Sequence, residues 1–342
     1  MGIEKYLGNA DKTNRIAFFP QIKMCHTSSV TKTYIKFSKD FDEDVVVVGG
    51  KVHDIENVKN MDTMIKRLRE WTGLKTHFVF VSDNFEKIKA NAKGIGMSAS
   101  AAGATAKALS EVVLPDLSNN PRFLSQFARY FSGSGTSSAA GGWSMWLSHK
   151  GIDPKESYGV RFDDGKTNLK ILMIPLPSKI KTEDAHGSAM GSEMYRYWAI
   201  NKPEKCLKLM EAIKNDDVDA IGKIAELDSL NLFHLLVSGG SFFNWEPETL
   251  GILRKVNLLR EKKDLTAYAS MDTGPSVGII TTKDDAKEVK KEMEKYLESE
   301  NLDCPMYFSD LAGPPETLPL DQKSEVVTDD VKALLKEKGI EL

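Results

Sequence analysis

The run Gly94-Ile95-Gly96-Met97-Ser98-Ala99-Ser100-Ala101-Ala102-Gly103-Ala104 leads straight into a helix-compatible segment, Thr105 to Val113. Small side chains let a backbone approach a ligand closely, and a helix start offers unpaired N–H groups at the positive end of the peptide dipole. Together they describe a cradle for an anion, most naturally phosphate, to which Ser98 and Ser100 add hydroxyl donors. The same composition suits a helix packed closely on a neighbour, with Gly and Ala serving shape alone, and this stretch by itself leaves both readings open. A second small-residue run spans Ser132-Gly133-Ser134-Gly135-Thr136-Ser137-Ser138-Ala139-Ala140-Gly141-Gly142, and the turn Met271-Asp272-Thr273-Gly274-Pro275-Ser276 places a carboxylate between two predicted strands.

The elements around these runs must position them. Val30 to Phe37 alternates as a strand, Val45 to Val48 is a short apolar strand closed by Gly49-Gly50, and Thr76 to Val81 is a third. Val58, Met61, Met64, Ile65 and Leu68 give Asn57–Trp71 helical spacing. Ser118-Asn119-Asn120-Pro121 reads as a turn before a helix from Arg122 to Tyr130. Strands are expected at Trp143–Leu147 and at Leu169–Leu176, the latter ended by Pro175 and Pro177. Residues 192–263 carry helical patterns, with breaks at Asn201-Lys202-Pro203 and Ser238-Gly239-Gly240. Strands at Leu265–Ser270 and Val277–Thr281 flank the Asp272 turn. Asp284–Glu300 is an amphipathic helix whose charge run is a solvated face. A proline-containing tail after Ala312 leads to a short charged helix, Asp329–Lys338. A strand-rich first half and a helix-rich second half make an α+β pattern, with the boundary near Pro175 to Lys181.

The 342 residues suffice for two domains. Formal net charge is -3, so no global basic field argues for a nucleic-acid partner. No apolar run approaches membrane-span length and Met1 to Ala10 shows no apolar signal core, so a cytoplasmic location is expected. Cys25, Cys206 and Cys304 fit neither a disulfide framework nor a metal-site spacing, and no metal site is expected.

Read in order, these features resemble the mevalonate diphosphate decarboxylases of the GHMP kinase superfamily. That family's phosphate loop, of the Gly-Leu-Ala-Ser-Ser-Ala-Ser type, corresponds to Gly94-Ile95-Gly96-Met97-Ser98-Ala99-Ser100. Its Ser-Gly-Ser-Ala-Cys-Arg-Ser loop, followed by Gly-Gly, corresponds to Ser132-Gly133-Ser134-Gly135-Thr136-Ser137-Ser138 and Gly141-Gly142. Its Phe-Asp-Ala-Gly-Pro-Asn turn is Met271 to Ser276. Lys5-Tyr6-Leu7-Gly8 is similar to its Lys-Tyr-Trp-Gly, and Asp228 to His234 is similar to its Asp-Ser-Asn-x-Phe-His helix. The chain also departs from the pattern. The loop arginine that contacts the substrate carboxylate is replaced by Ser137. The second lysine of Lys-Tyr-Trp-Gly-Lys is Asn9. The family's Asn-Phe-Pro approach to the phosphate loop has become Asn84-Phe85-Glu86 with extra residues through Lys93, and its first strand is nearly absent.

The resemblance implies a two-domain GHMP-kinase-like α+β fold, with a ribosomal-S5-like N-terminal domain over residues 1–178 and a ferredoxin-like C-terminal domain over 179–342. It implies a phosphorylated mevalonate derivative as substrate and, commonly, a homodimer. Asp272 takes the place of the catalytic aspartate near the C3 hydroxyl and Lys5 that of its paired lysine; the bland alternatives are a turn aspartate and a solvated lysine. Tyr6, Gly94, Gly96, Ser98, Ser100, Ser132, Gly133, Ser134 and Ser137 are expected around phosphate or carboxylate oxygens. Lys93, and less so Lys87 and Lys89, could supply the charge missing at Ser137. His186 and His234 read as satisfied structural histidines. Retention of Asp272 and Lys5 argues against the branch that keeps only the kinase step on mevalonate. The altered approach to the loop argues against ordinary ATP use. The expected activity is decarboxylation of mevalonate 3,5-bisphosphate to isopentenyl phosphate with no cofactor required. The alternatives are an ATP- and Mg2+-dependent decarboxylase of the diphosphate or phosphate, and a non-catalytic phosphometabolite-binding protein.

Overall fold

The computed structural model describes residues 1–58, 60–86, 94–178 and 182–342. Its strands are β1 (Asn9–Asp11), β2 (Ile16–Ala17), β3 (Gln21–Met24), β4 (Ser29–Ser38), β5 (Val45–Val48), β6 (Lys51–His53), β7 (His77–Glu86), β8 (Trp143–Trp146), β9 (Gly159–Arg161), β10 (Leu169–Ile174), β11 (Ala267–Ser270), β12 (Val277–Thr282) and β13 (Tyr307–Ser309). The helices are α1 (Met61–Thr72), α2 (Met97–Val113), α3 (Pro121–Phe131), α4 (Gly135–Ala140), α5 (Thr182–Met190), α6 (Tyr195–Ile200), α7 (Lys202–Lys214), α8 (Val218–Gly240), α9 (Pro247–Lys263), α10 (Ala286–Ser299) and α11 (Asp329–Glu337).

The first sheet runs β4-β7-β5-β6. The strand expected at Thr76–Val81 continues to Glu86, because β7 pairs antiparallel with β4 along its whole length. One face of this sheet offers Ile35, Phe78 and Phe80 to Met61, Met64 and Leu68 of α1, Ala106 of α2 and Phe127 of α3. Its other face, Val45, Val47, Val79 and Val81, is covered by Val326, Val327, Val331 and Leu335. The chain thus returns from its second half to complete the first sheet.

A second sheet, β11-β12-β10-β13, packs on α9 and α10 through Leu172, Ile174, Ile252, Val256, Ile279, Val289 and Met293. Between the two lies the three-stranded sheet β3-β8-β9. Ile22, Met24 and Trp143 of that sheet share one core with Ile171, Met173, Leu209, Ile221 and Ile280, so the halves meet across continuous apolar packing. Strand β13, helix α5 and strand β3 are elements that periodicity did not reveal.

Near Met1, Gly2 forms a bridge with Lys23, supported by the Ile3 N–H donating to the Ile22 carbonyl at 3.1 Å. One detail differs from expectation. Ser238-Gly239-Gly240 does not break its helix: α8 runs through Gly240. Those glycines serve close packing, since a Cβ on Gly239 would fall 2.0 Å from the Ser188 carbonyl oxygen of α5.

Candidate active site

The two small-residue runs and the Asp272 turn converge on one cavity of about 1250 Å³. Gly96, the residue before α2, sits at φ 85°, and Gly94 at φ 90°, where a Cβ is strained; the loop can then present its backbone to the cavity. A Cβ on Gly94 would lie 3.6 Å from Gly274, so this loop rests against the Asp272 turn. One part of the run faces the cavity and another serves close packing. Gly94, Gly96 and Ser98 line the cavity. Gly103 instead lets α2 meet α4, where an added Cβ would fall 2.7 Å from Ser138 Oγ. Ser100 lines the cavity but also ties α2 to β4, its Oγ accepting from the Thr31 N–H at 3.0 Å and from Thr31 Oγ1 at 2.9 Å.

Lys5 and Asp272 form an ion pair, Nζ to Oδ1 3.2 Å, with the Lys5 side chain 1% and the Asp272 side chain 30% exposed. Lys5 Nζ also donates to the Gly2 carbonyl at 2.5 Å and to Ser270 Oγ at 2.9 Å, so its ammonium is fully engaged. Burial raises the affinity of the Asp272 carboxyl for a proton, but Lys5, the N-terminal ammonium and Lys23 together outweigh it and hold the carboxyl below its ordinary range. Asp272 is therefore a carboxylate at neutral pH, and it faces the cavity.

Helix α8 positions this pair. Asp228 Oδ2 accepts the Lys5 backbone N–H at 2.7 Å, and the neighbouring Ser229 Oγ accepts the Met271 N–H at 3.1 Å. Asp228 is itself held by Lys202 Nζ at 2.5 Å and by Trp198 Nε1 at 2.8 Å. Lys202 Nζ lies 2.6 Å from Glu4 Oε2, and both side chains are fully buried. Burial, with Asp228 close by, pushes the Glu4 carboxyl up to about 7 despite Lys202.

The second run closes another side. Ser132, Gly133, Ser134 and Ser137 all line the cavity. Ser134 Oγ accepts from Lys23 Nζ at 2.7 Å. Ser137 Oγ is buried with no hydrogen-bond partner among the described residues. Gly133 lets Tyr6 approach, since a Cβ there would fall 3.1 Å from the Tyr6 hydroxyl. Tyr6 donates to Asn9 Oδ1, the residue that stands where the family has its second lysine. Its ring packs on Trp146 at 5.3 Å and on His186 at 4.7 Å, and burial pushes its phenol up to about 12. His186 Nδ1 accepts the Gly8 N–H at 3.0 Å and lines the cavity, whereas His234 is exposed on α8 beside a separate small pocket. Lys87, Lys89 and Lys93 lie outside the described residues.

Sequence reasoning missed Lys23, Ser270 and the anchoring role of Glu4, Lys202 and Asp228. Lys23 falls where the sequence suggested no element; the one available signal was a lysine flanked on both sides by apolar residues, Ile22 and Met24.

Residues 1–159 match a family model described as the diphosphomevalonate decarboxylase-like N-terminal domain. Mevalonate 3,5-bisphosphate decarboxylase of Thermoplasma acidophilum is 32% identical over 279 residues, covering 81% of this chain and 67% of that protein. Phosphomevalonate decarboxylase of Haloferax volcanii is 30% identical over 292 residues, covering 85% of this chain and 88% of that protein. Among solved structures, mevalonate diphosphate decarboxylase from Staphylococcus aureus matches with a TM-score of 0.83 at 22% identity, covering 93% of this chain and 95% of that one. Mevalonate-3-kinase from Thermoplasma acidophilum, with mevalonate 3-phosphate and ADP bound, matches with a TM-score of 0.72 at 16% identity, covering 92% of this chain and 94% of that one. The structural likenesses establish a GHMP-kinase-like fold, and the sequence likenesses establish the lineage. The chain belongs to the diphosphomevalonate decarboxylase-like family and is an enzyme of the mevalonate-pathway decarboxylase kind.

Proposed function

We propose that the protein eliminates phosphate and carbon dioxide from mevalonate 3,5-bisphosphate, giving isopentenyl phosphate without ATP. The observation that carries this reading is the Lys5–Asp272 ion pair set against the glycine loop inside one cavity. The C3–O bond breaks and its electrons leave with the phosphate. The C1–C2 bond then supplies the electrons of the C2=C3 double bond as carbon dioxide departs. Positive charge develops at C3, and an ionised Asp272 beside C3 stabilises it. Lys5, with all three donors engaged, holds Asp272 in place and keeps it ionised. The leaving phosphate sits at the α2 N-terminus against Gly94, Gly96 and Ser98, where backbone N–H groups and the helix dipole favour an anion. Ser132 and Gly133 shape the wall beside it, and Tyr6 closes the cavity over the substrate. In this reading the site lies in the cleft between an N-terminal domain, residues 1–178, and a C-terminal domain, residues 179–342.

ATP use is the second reading. The cavity of about 1250 Å³ exceeds the volume one small phosphorylated acid fills, and the Haloferax relative is named a phosphomevalonate decarboxylase. Lys107 does not favour it: this lysine on the cavity wall is already held by the Ser118 carbonyl at 3.0 Å, Asn119 Oδ1 at 2.8 Å and Glu111 at 2.8 Å. If ATP and Mg2+ bind, the α2 N-terminus would hold the nucleotide phosphates, and Asp272 would orient the C3 hydroxyl for phosphorylation. Pure mevalonate 3,5-bisphosphate in nucleotide-free buffer with a chelator separates the readings. Equal release of phosphate and carbon dioxide is expected; no turnover until ATP and mevalonate 5-phosphate are supplied would overturn the nucleotide-free reaction.

A further inference from the structure

Lys23 is a buried cation that feels Asp272 through space but pairs with no anion directly among the described residues. Its side chain is 7% exposed, yet no carboxylate lies within ion-pair distance of it among the described residues. Its single hydrogen-bond acceptor there is Ser134 Oγ, at 2.7 Å, and its Nζ lies 5.1 Å from the centre of the Tyr6 ring. Two of the three ammonium donors therefore have no acceptor among the described residues. A buried ammonium in this state is costly unless something fills the gap. The neighbouring Ser137 Oγ, on the same cavity wall, is buried and equally without a partner. Lys5 differs in having every donor taken.

A cation with two spare donors and a free hydroxyl make a receptor for one small anion. We propose that Lys23, with Ser134 and Ser137, binds the substrate carboxylate that is lost as carbon dioxide. This rests on the reaction proposed above, in which the 3-phosphate occupies the glycine loop and the carboxylate is the remaining anion of the reacting half. The contact is strongest in the ground state and fades as the carboxylate loses its charge. Lys23 therefore serves binding and register more than the chemical step.

The charged and titratable groups around Lys23 are the Met1 ammonium, Lys5, Cys25, Asp272 and Tyr6. Burial pushes Lys23 down to about 8 and the Met1 ammonium down to about 6, while burial raises Cys25 and takes Tyr6 up to about 12. In the free enzyme kcat/KM should therefore fall as pH rises through about 8, and Lys23→Arg should carry activity past that limb.

The test compares wild type, Lys23→Met and Lys23→Arg by thermal shift with two probes. Mevalonate 5-phosphate has the carboxylate and isopentenyl phosphate lacks it. Lys23→Met should weaken mevalonate 5-phosphate about 10- to 100-fold, the worth of a charge-assisted hydrogen bond, and leave isopentenyl phosphate within threefold. The ligand-free Tm should not fall, because the lost charge has no carboxylate partner. In turnover the loss should sit in KM. Equal weakening of both probes, or no weakening of either, overturns the assignment. Selective weakening in a protein that turns over no bisphosphate supports the carboxylate site and refutes only the proposed reaction.

Discussion

Replacing Asp272 with asparagine isolates charge from shape. The amide keeps the carboxylate's size, and its single oxygen can still accept from Lys5 Nζ, 3.2 Å away, while the weaker contact with the Gly2 N–H, 3.4 Å away, is given up. What it removes is the negative charge that the proposed reaction sets beside C3. Two unit charges about 4 Å apart interact by about 4 kcal/mol at an effective dielectric near 20. Since 30% of the Asp272 side chain is exposed to the cavity, screening lowers this to about 2–4 kcal/mol. That corresponds to a fall in kcat of about 30- to 1000-fold. KM should stay level or fall, because the substrate is a polyanion and the site has lost an anion. The assay follows phosphate release and labelled carbon dioxide together under saturating mevalonate 3,5-bisphosphate. A kcat within threefold of wild type would refute the electrostatic role of Asp272. So would a raised KM with kcat intact, which is the behaviour of a residue that only binds.

Other perturbations separate positioning from chemistry. Glu4 takes up a proton more readily folded, at about 7, than its ordinary value of 4.5, so the folded state holds the extra proton between those values and stability falls as pH rises through that window. Glu4→Gln should flatten that slope in thermal melts from pH 4.5 to 7, and an unchanged slope would show that Glu4 is ionised throughout. Ser98→Ala should lower kcat/KM about tenfold with an unchanged Tm, whereas Ser100→Ala should lower stability by about 1–2 kcal/mol through its lost links to Thr31. The reverse pattern in denaturant titrations and steady-state kinetics would exchange their roles. Because its neighbouring cations hold Asp272 ionised below the usual carboxylate range, kcat/KM should show no acid limb from this group above that range; an acid limb abolished by Asp272→Asn would contradict it.

The parts of the site that were legible in sequence are those whose signal lies in the backbone. Glycine loops and a Gly-Pro turn advertise themselves locally, but it was the resemblance to a known family that grouped Gly94, Ser134 and Asp272 before any packing was known. Strands such as β4, β5 and β12 were legible because their periodicity reports burial. Lys23 was not, because a single lysine in a four-residue strand carries no sign that its neighbours in space will be a serine loop and an aromatic ring. Ser100 shows another limit: its place in the motif suggested a ligand, and nothing in the sequence shows that its oxygen also accepts from Thr31, 69 residues away. The anchoring of Lys5 by Asp228 spans 223 residues, and only the fold brings those two together. Helix α5 and strand β13 escaped notice because short elements with mixed composition have too few residues to show a period.

The first sheet's outer face, Val45, Val47, Val79 and Val81, is closed by Val326 to Leu335. During synthesis the ribosome completes that sheet long before its cover emerges. For well over two hundred residues of elongation the nascent chain carries an open valine face flanked by strands. An unprotected surface of this kind is where chains stick to each other or recruit chaperones. A ribosome stalled before residue 326 therefore holds a finished sheet with one face still uncovered.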